Sequence, residues 1–208
     1  EGNISTIINS LPEQTIHAFG GGGVANNVSG SVFNRITNME ALITNYYGGT
    51  SSETADTNVL GGITNIIKPE NKATARLAGI SNFYAGSNRG VVGQEGQTSQ
   101  AITTEFDSRN FGIGRYIAEF AGANRRIGTI YGDISTTVHA GDYNTGGRIH
   151  QFHGGASTYA EIIYLSTAID GLSPQAVAEQ YKAKTNYKIF GNITNIIEGG
   201  CFGNGANV

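Results

Sequence analysis

The side chains able to do chemistry are few. Four histidines (His17, His139, His150 and His153), one cysteine (Cys201) and sixteen carboxylates are spread over 208 residues. His150 and His153 stand three apart across an expected strand and loop, a spacing that does not gather on one metal as helical i, i+4 histidines do. The richest local set is Asp142-Tyr143-Asn144, a carboxylate, a ring and an amide in a glycine-flanked loop between two expected strands. Those groups suit a sugar, which offers hydroxyls to hydrogen-bond and an apolar face to stack on. Together with His150 they form the candidate ligand-binding set. The same three residues also suit an ordinary Asx turn, in which Asp or Asn bonds its own backbone, and both readings stand. Calcium is a possible cofactor through Asp133, Asp142 and backbone oxygens, although no EF-hand-type string is present and the metal site is otherwise unknown.

Other chemistries lack their signatures. No Gly-x-Ser-x-Gly elbow marks a serine hydrolase, and no Gly-x-x-x-x-Gly-Lys cradles a phosphate. Gly112-Ile113-Gly114 lacks the third glycine and the βαβ setting of a dinucleotide site. The run Gly20 to Gly23 follows an expected strand over Thr15 to Phe19; it allows either close approach to a ligand or a flexible or tightly packed loop.

The elements that must position these groups read mostly as strands. From Gln100 onward, strands are expected over Ala101 to Phe106, Gly112 to Phe120, Arg126 to Tyr131, Ser135 to Ala140, Arg148 to Phe152, and from Tyr159. Within Gly112 to Phe120, simple alternation puts Arg115, Ile117 and Glu119 on one face. Short strands separated by glycine turns point to a sandwich rather than a parallel sheet. Earlier in the chain, Ile36, Met39, Ile43 and Tyr46 recur at spacings of three and four, which predicts one amphipathic helix over Asn34 to Tyr47. Gly48 to Leu60 and Ala85 to Ser99 read as loops, and Lys68-Pro69-Glu70-Asn71 as a surface turn.

Closely similar strings occur at Ile4-Ser5-Thr6-Ile7-Ile8, Ile63-Thr64-Asn65-Ile66-Ile67 and Ile193-Thr194-Asn195-Ile196-Ile197, with shorter echoes at Ile36-Thr37-Asn38-Met39 and Ile43-Thr44-Asn45-Tyr46. Their irregular spacing argues against a solenoid, which would show a fixed period. They reflect either a composition biased to Ile, Thr and Asn, or copies at the two chain ends that sit side by side or face a common neighbour. In the latter case Ile at the first, fourth and fifth positions forms the contact.

From Arg148 to Ile189 the chain reads as strand, turn, strand and short capped helix. Tyr159 to Leu165 is rich in aromatic and β-branched residues and ends near Asp170-Gly171. Ser173 then serves as N-cap, Pro174 as first helical residue, and Leu172 as a staple onto Val177. Ala160-Glu161-Ile162-Ile163 followed by Leu172-Ser173 resembles the closing segment of concanavalin A-like (laminin-G-like) β-sandwich domains. Tyr164 comes one place earlier than in that pattern, and the helix alanine is Ala178. The resemblance implies an all-β, antiparallel jelly-roll sandwich with one or two short helices, and glycan binding. Enzymes of that family carry a Glu-x-Asp-x-x-Glu strand, absent here, where Glu161 stands alone, so the expected domain is noncatalytic.

Composition bounds the partners. Charged residues are 14% against a typical quarter, and 31 glycines with many Asn, Ser and Thr replace them, a balance of loop-rich β proteins outside cells or on virion surfaces. A net charge of −3 gives no footprint for nucleic acid, and no apolar run approaches the roughly 18 residues of a membrane span. The sequence starts at Glu1 without a signal-like segment, so it follows a removed leader or is a fragment. A single domain over 1–208 is expected, with a Gly-rich tail over 199–208 ordered only where a neighbour holds it. The leading expectation is a glycan-binding surface-attachment domain, as in a viral or phage tail fibre or a bacterial adhesin. Its rival is a self-assembling subunit of a capsid, fibre or filament. Both foresee a homo-oligomer or a larger assembly.

Overall fold

The computed structural model describes residues 2–24, 27–53, 57–126, 128–157, 188–203 and 206–207. The chain climbs in successive coils. The first coil holds β1 (Ile4–Ile8) and β2 (Thr15–Gly20); the second holds β3 (Val32–Ile36), β4 (Leu42–Tyr47) and β5 (Thr57–Val59). The third holds β6 (Ile63–Ile67), β7 (Gly79–Tyr84) and β8 (Gly90–Val92), and the fourth β9 (Gln100–Asp107), β10 (Tyr116–Ala121) and β11 (Gly128–Tyr131). The fifth holds β12 (Asp133–His139), β13 (Arg148–His153) and β14 (Lys188–Phe190), and the last part β15 (Ile193–Gly199), β16 (Cys201–Phe202) and β17 (Ala206–Asn207).

Each strand pairs with its equivalent one coil away. The result is a first sheet β1-β3-β6-β9-β12-β15, a second sheet β17-β16-β13-β10-β7-β4-β2 and a third sheet β14-β11-β8-β5. All pairings between these strands are parallel except β16 with β17. This is a parallel β-helix, not the expected antiparallel jelly-roll sandwich. It is also a solenoid, against the argument from irregular spacing. Stacking requires only that the strands match from coil to coil, so the corner loops absorb the differences in coil length.

The interior follows from the register. In the first sheet Ile4, Val32, Ile63, Ile102, Ile134 and Ile193 form one row, and Ile8, Ile36, Ile67, Phe106, Val138 and Ile197 another. Between them runs a polar row: Thr6, Asn34, Asn65, Thr104, Thr136 and Asn195. The recurring Ile-Thr-Asn-Ile-Ile strings are thus equivalent rungs of one sheet. Their first, third and fifth residues point inward, and the copies at the two ends of the chain lie at opposite ends of that sheet. Burying Asn65 would cost several kcal/mol if it were left bare, but its amide donates to the Ala85 carbonyl at 2.9 Å and its oxygen accepts from Tyr46 at 3.0 Å and from Asn34 at 3.1 Å.

The second sheet turns a column of rings inward. Phe19, Tyr46, Phe83, Phe120 and Phe152 stack with centroids 5.0, 4.8, 4.8 and 5.1 Å apart and interplanar angles of 10° to 20°. Three residues before each ring stands an inward isoleucine: Ile16, Ile43, Ile80, Ile117 and Ile149. The interval of three breaks strict alternation, so Ile117 and Phe120 are both buried while Tyr116 and Glu119 lie outside. The helix expected over Asn34 to Tyr47 is not formed. Its apolar spacing arises because Ile36 and Met39 end one inward-facing stretch, and Ile43 and Tyr46 begin the next after a corner.

At the corner after the second sheet the chain must turn beside the amide row, which leaves little space. A Cβ on Gly48 would lie 2.1 Å from the Ala85 carbonyl oxygen and 2.5 Å from Asn65. Gly21 is the equivalent residue one coil earlier and is buried against the amide of Asn34, and Gly22, also buried, packs against Gly49 and Thr50. The Gly20 to Gly23 run is therefore a packed corner.

The passage from the second to the third sheet takes 9, 5 and 6 residues in the second, third and fourth coils, but 34 residues separate His153 from Lys188. Most of the stretch resembling a concanavalin A-like domain falls there. Its strand from Tyr159 and its helix from Ser173 lie outside the described residues. The loops expected over Gly48 to Leu60 and Ala85 to Ser99 contain β5 and β8. In the tail, Cys201 is buried, and its amide donates to the Gly141 carbonyl at 2.9 Å, so this part is held by the chain's own fifth coil.

Candidate functional site

The outer face of the second sheet carries a row of polar side chains and several aromatic ones. One outward row runs Ala18, Asn45, Asn82, Glu119 and Gln151 across β2, β4, β7, β10 and β13. Asn82 donates its amide to Asn45 at 3.1 Å, so the row begins as a bonded amide ladder.

One end of the face is closed on itself. Tyr47 and Tyr84 stack at 5.4 Å and are each 1% exposed. Tyr84 donates to Glu119 Oε2 at 2.6 Å, Arg125 donates to the Tyr47 hydroxyl at 2.9 Å, and the Ser157 hydroxyl meets Glu119 Oε1. Burial pushes both phenols above their ordinary range, and the Glu119 carboxylate raises Tyr84 further. His153 lies 3.9 Å from Glu119 at the rim of this cluster. The carboxylate already has two hydroxyl partners.

The other end is open. On the fourth and fifth coils Tyr116 stacks against His150, with centroids 4.3 Å apart and planes 11° apart. The pair is a product of register: Tyr116 sits beside Arg148 on the adjacent strand, and His150 follows two residues later. Arg148 donates through Nε to His150 Nε2 at 2.9 Å, and its guanidinium lies 4.3 Å from the Tyr143 ring centroid. The Arg115 guanidinium lies 5.1 Å from the Tyr116 ring centroid. An arginine can only donate, so His150 accepts at Nε2 and carries its proton on Nδ1. Burial first, and the charge of Arg148 second, lower the imidazole below its usual range.

The four residues expected at the site are divided by this arrangement. Tyr143 and His150 share the open face, joined through Arg148. Asp142 turns back to its own loop, where Oδ1 accepts from the amides of Asn144 and Thr145, both at 2.7 Å. Those backbone bonds, that of Thr145 foremost, lower its pKa. Asp142 also lines a groove with Lys72, Arg109, Asn110 and His139. There Lys72 donates to the carbonyls of Arg109, Phe111 and Thr145 and tethers the loop from behind. Asn144 is exposed at the loop tip.

Asp133 and Asp142 flank β12 at opposite ends, and the strand's seven residues alone span about 20 Å, so the two carboxylates do not converge on one cation. Among the described residues no group of three His, Cys, Asp or Glu side chains is placed to hold a metal. Among them, too, no helix is long and apolar enough to cross a membrane.

Comparison of the chain with protein-family models, curated proteins and solved structures gives no match in any of the three.

The residues that sequence reasoning missed are Tyr116, Arg115 and Arg148. A signal for them exists in the strings Ile16-His-Ala-Phe-Gly-Gly-Gly, Ile43-Thr-Asn-Tyr-Tyr-Gly-Gly, Ile80-Ser-Asn-Phe-Tyr-Ala-Gly, Ile117-Ala-Glu-Phe-Ala-Gly-Ala and Ile149-His-Gln-Phe-His-Gly-Gly. Aligned, they give the register of the second sheet and bring Tyr116 and Arg148, each one residue before an inward isoleucine, side by side.

Proposed function

We propose that this chain is a noncatalytic attachment module that binds glycans on the outer face of its second sheet, outside the cell or on a virion surface. The observation that carries the reading is the Tyr116–His150 stack, bordered by the Arg148–Tyr143 pair. It offers flat aromatic surface beside fixed donors, the combination a sugar needs. Tyr143 is 64% exposed and Tyr116 37%, so both rings are open to solvent. The amide row of Asn45, Asn82 and Gln151 on the same face extends the supply of donors and acceptors. The noncatalytic part of the reading is supported by the state of the carboxylates beside this face. Glu119 is engaged by two hydroxyls and Asp142 by its own loop amides. Binding of the intact chain to a glycan array should be lost in Tyr116→Ala and in Tyr143→Ala while the folded spectrum is kept. Undiminished binding in both variants removes this face from the function.

A second reading, self-assembly, is favoured by a different observation. Strand β15 ends the first sheet among the described strands, and Ile193, Ile196 and Ile197 are 44%, 51% and 46% exposed. Such an edge is a template for another strand. If it assembles copies, Ile197→Lys should abolish concentration-dependent oligomers in light scattering; oligomers of unchanged mass set this reading aside.

A further inference from the structure

We infer that the glycan taken by the Tyr116 face is an acidic one, carrying carboxylate or sulfate groups. The inference rests on the glycan-binding reading above and adds the charge of the ligand. Three consecutive coils bring an arginine to the same corner of the solenoid: Arg76 just before β7, Arg115 just before β10 and Arg148 at the start of β13. The side chain of Arg76 lies across Gly114, and that of Arg115 lies against Gly79, so the chain's small residues make room for both.

None of the three has a carboxylate partner among the described residues. Arg115 donates through Nε to the Tyr116 carbonyl at 2.9 Å, and burial lowers its pKa, the mark of a guanidinium held out of water without an anion to offset it. The acidic groups close by face elsewhere. Glu40 accepts from the amides of Thr74 and Ala75, and Asp142 is closed within its own loop.

Arg148 is the better-placed contact. Its Nε is engaged by His150 and its plane by Tyr143, which fixes the side chain and leaves the two terminal nitrogens as a preoriented fork. A carboxylate or sulfate accepts such a fork with two parallel hydrogen bonds, which a neutral hydroxyl cannot do. Beside the fork, His150 Nδ1–H is a donor for a sugar oxygen, and the exposed rings of Tyr116 and Tyr143 supply the apolar surface. The overall charge of −3 makes this a local site rather than a general polyanion surface.

The test is titration calorimetry of the full chain with matched pairs: sialyllactose against lactose, oligogalacturonate against neutral galacto-oligosaccharide, and dextran sulfate against dextran. At least one acidic member should bind while its neutral counterpart does not. That binding should weaken with added salt and fall about tenfold or more in Arg148→Gln. Tyr143→Ala, at an exposed position, gives a second variant with the same expected loss should Arg148→Gln fold poorly. A comparison of the three acidic members separates carboxylate from sulfate as the recognised group. Equal binding of both members of each pair, no binding of any acidic member, or equal competition by a double-stranded DNA fragment would overturn the inference. The glycan-binding reading survives the first of these, and falls separately if the glycan array is silent for neutral and acidic sugars alike.

Discussion

The two sides of the second sheet obey different rules. Inside, every coil repeats the same solution: an isoleucine, then a ring three residues later, from Phe19 through Phe152. Outside, the coils do not keep to one pattern. The row that is Asn45 and Asn82 becomes Glu119 and then Gln151, and the row that is Leu42 and Gly79 becomes Tyr116 and then Arg148. Repetition marks what the fold needs, because each coil is stabilised by presenting to its neighbours the surface they already present to it. Departure from repetition marks where something other than stacking has shaped the chain, and it is greatest on the fourth and fifth coils.

The largest expected effect tests the inner side. Phe83→Ala removes a ring packed between Tyr46 and Phe120 and should cost about 3–5 kcal/mol in urea unfolding, whereas Tyr143→Ala outside should stay within about 0.5 kcal/mol. Similar losses in both variants would erase the distinction. Next, Asn65→Leu leaves the Tyr46 hydroxyl and the Asn34 amide short of an acceptor in a dry interior, and should cost on the order of 2–3 kcal/mol in the same measurement. A neutral effect would mean that the amide row is no part of the fold's stability.

The outer side is sharpened by pH. His150 should titrate by NMR below its ordinary value of 6.5, because burial and Arg148 both favour the neutral ring. The stability tied to this histidine is then present above 6.5 and is lost as pH falls through the lower folded value. Arg148→Gln should move the midpoint upward, and a midpoint unmoved by that change would disconnect the two groups. The smallest effect is expected from Asp142→Ala. It removes an exposed loop acceptor and should change glycan affinity less than Tyr143→Ala does in the same calorimetric titration, because the carboxylate faces its own amides.

Much of the strand content was legible in the sequence, but the way the strands join was not. The segments at Ala101 to Phe106, Ser135 to Ala140 and Arg148 to Phe152 lie within β9, β12 and β13 apart from an end residue. Short strands between glycine turns describe a sandwich and a solenoid equally well, since local sequence fixes extension and not the direction of the partner strand. The Ile-Thr-Asn-Ile-Ile strings were visible, yet their unequal spacing hid their equivalence. The interval from Ile134 to Ile193 contains the long passage after His153, and corner loops vary elsewhere. The third residue of those strings, threonine or asparagine, gave no hint of facing inward; for Asn65 only its partners, Tyr46 and the Ala85 carbonyl, explain that it can. At the proposed site, Tyr143 and His150 could be singled out from the sequence, and the structure joins both to Arg148. Tyr116 and Arg148 were not, because 32 residues separate them and only parallel register makes them neighbours.

That register underlies everything said of the face, and it can be measured as a distance. With Cys201→Ser removing the native thiol, spin labels at Ala18→Cys and Gln151→Cys would sit on one outward row, four rungs apart. At about 4.8 Å per rung the backbones lie about 19 Å apart, and pulsed dipolar spectroscopy should give one narrow distribution near that value, widened by the label arms. A distribution centred well beyond that distance, or a broad one with no maximum, would contradict the parallel solenoid and with it the pairing of Tyr116 with His150.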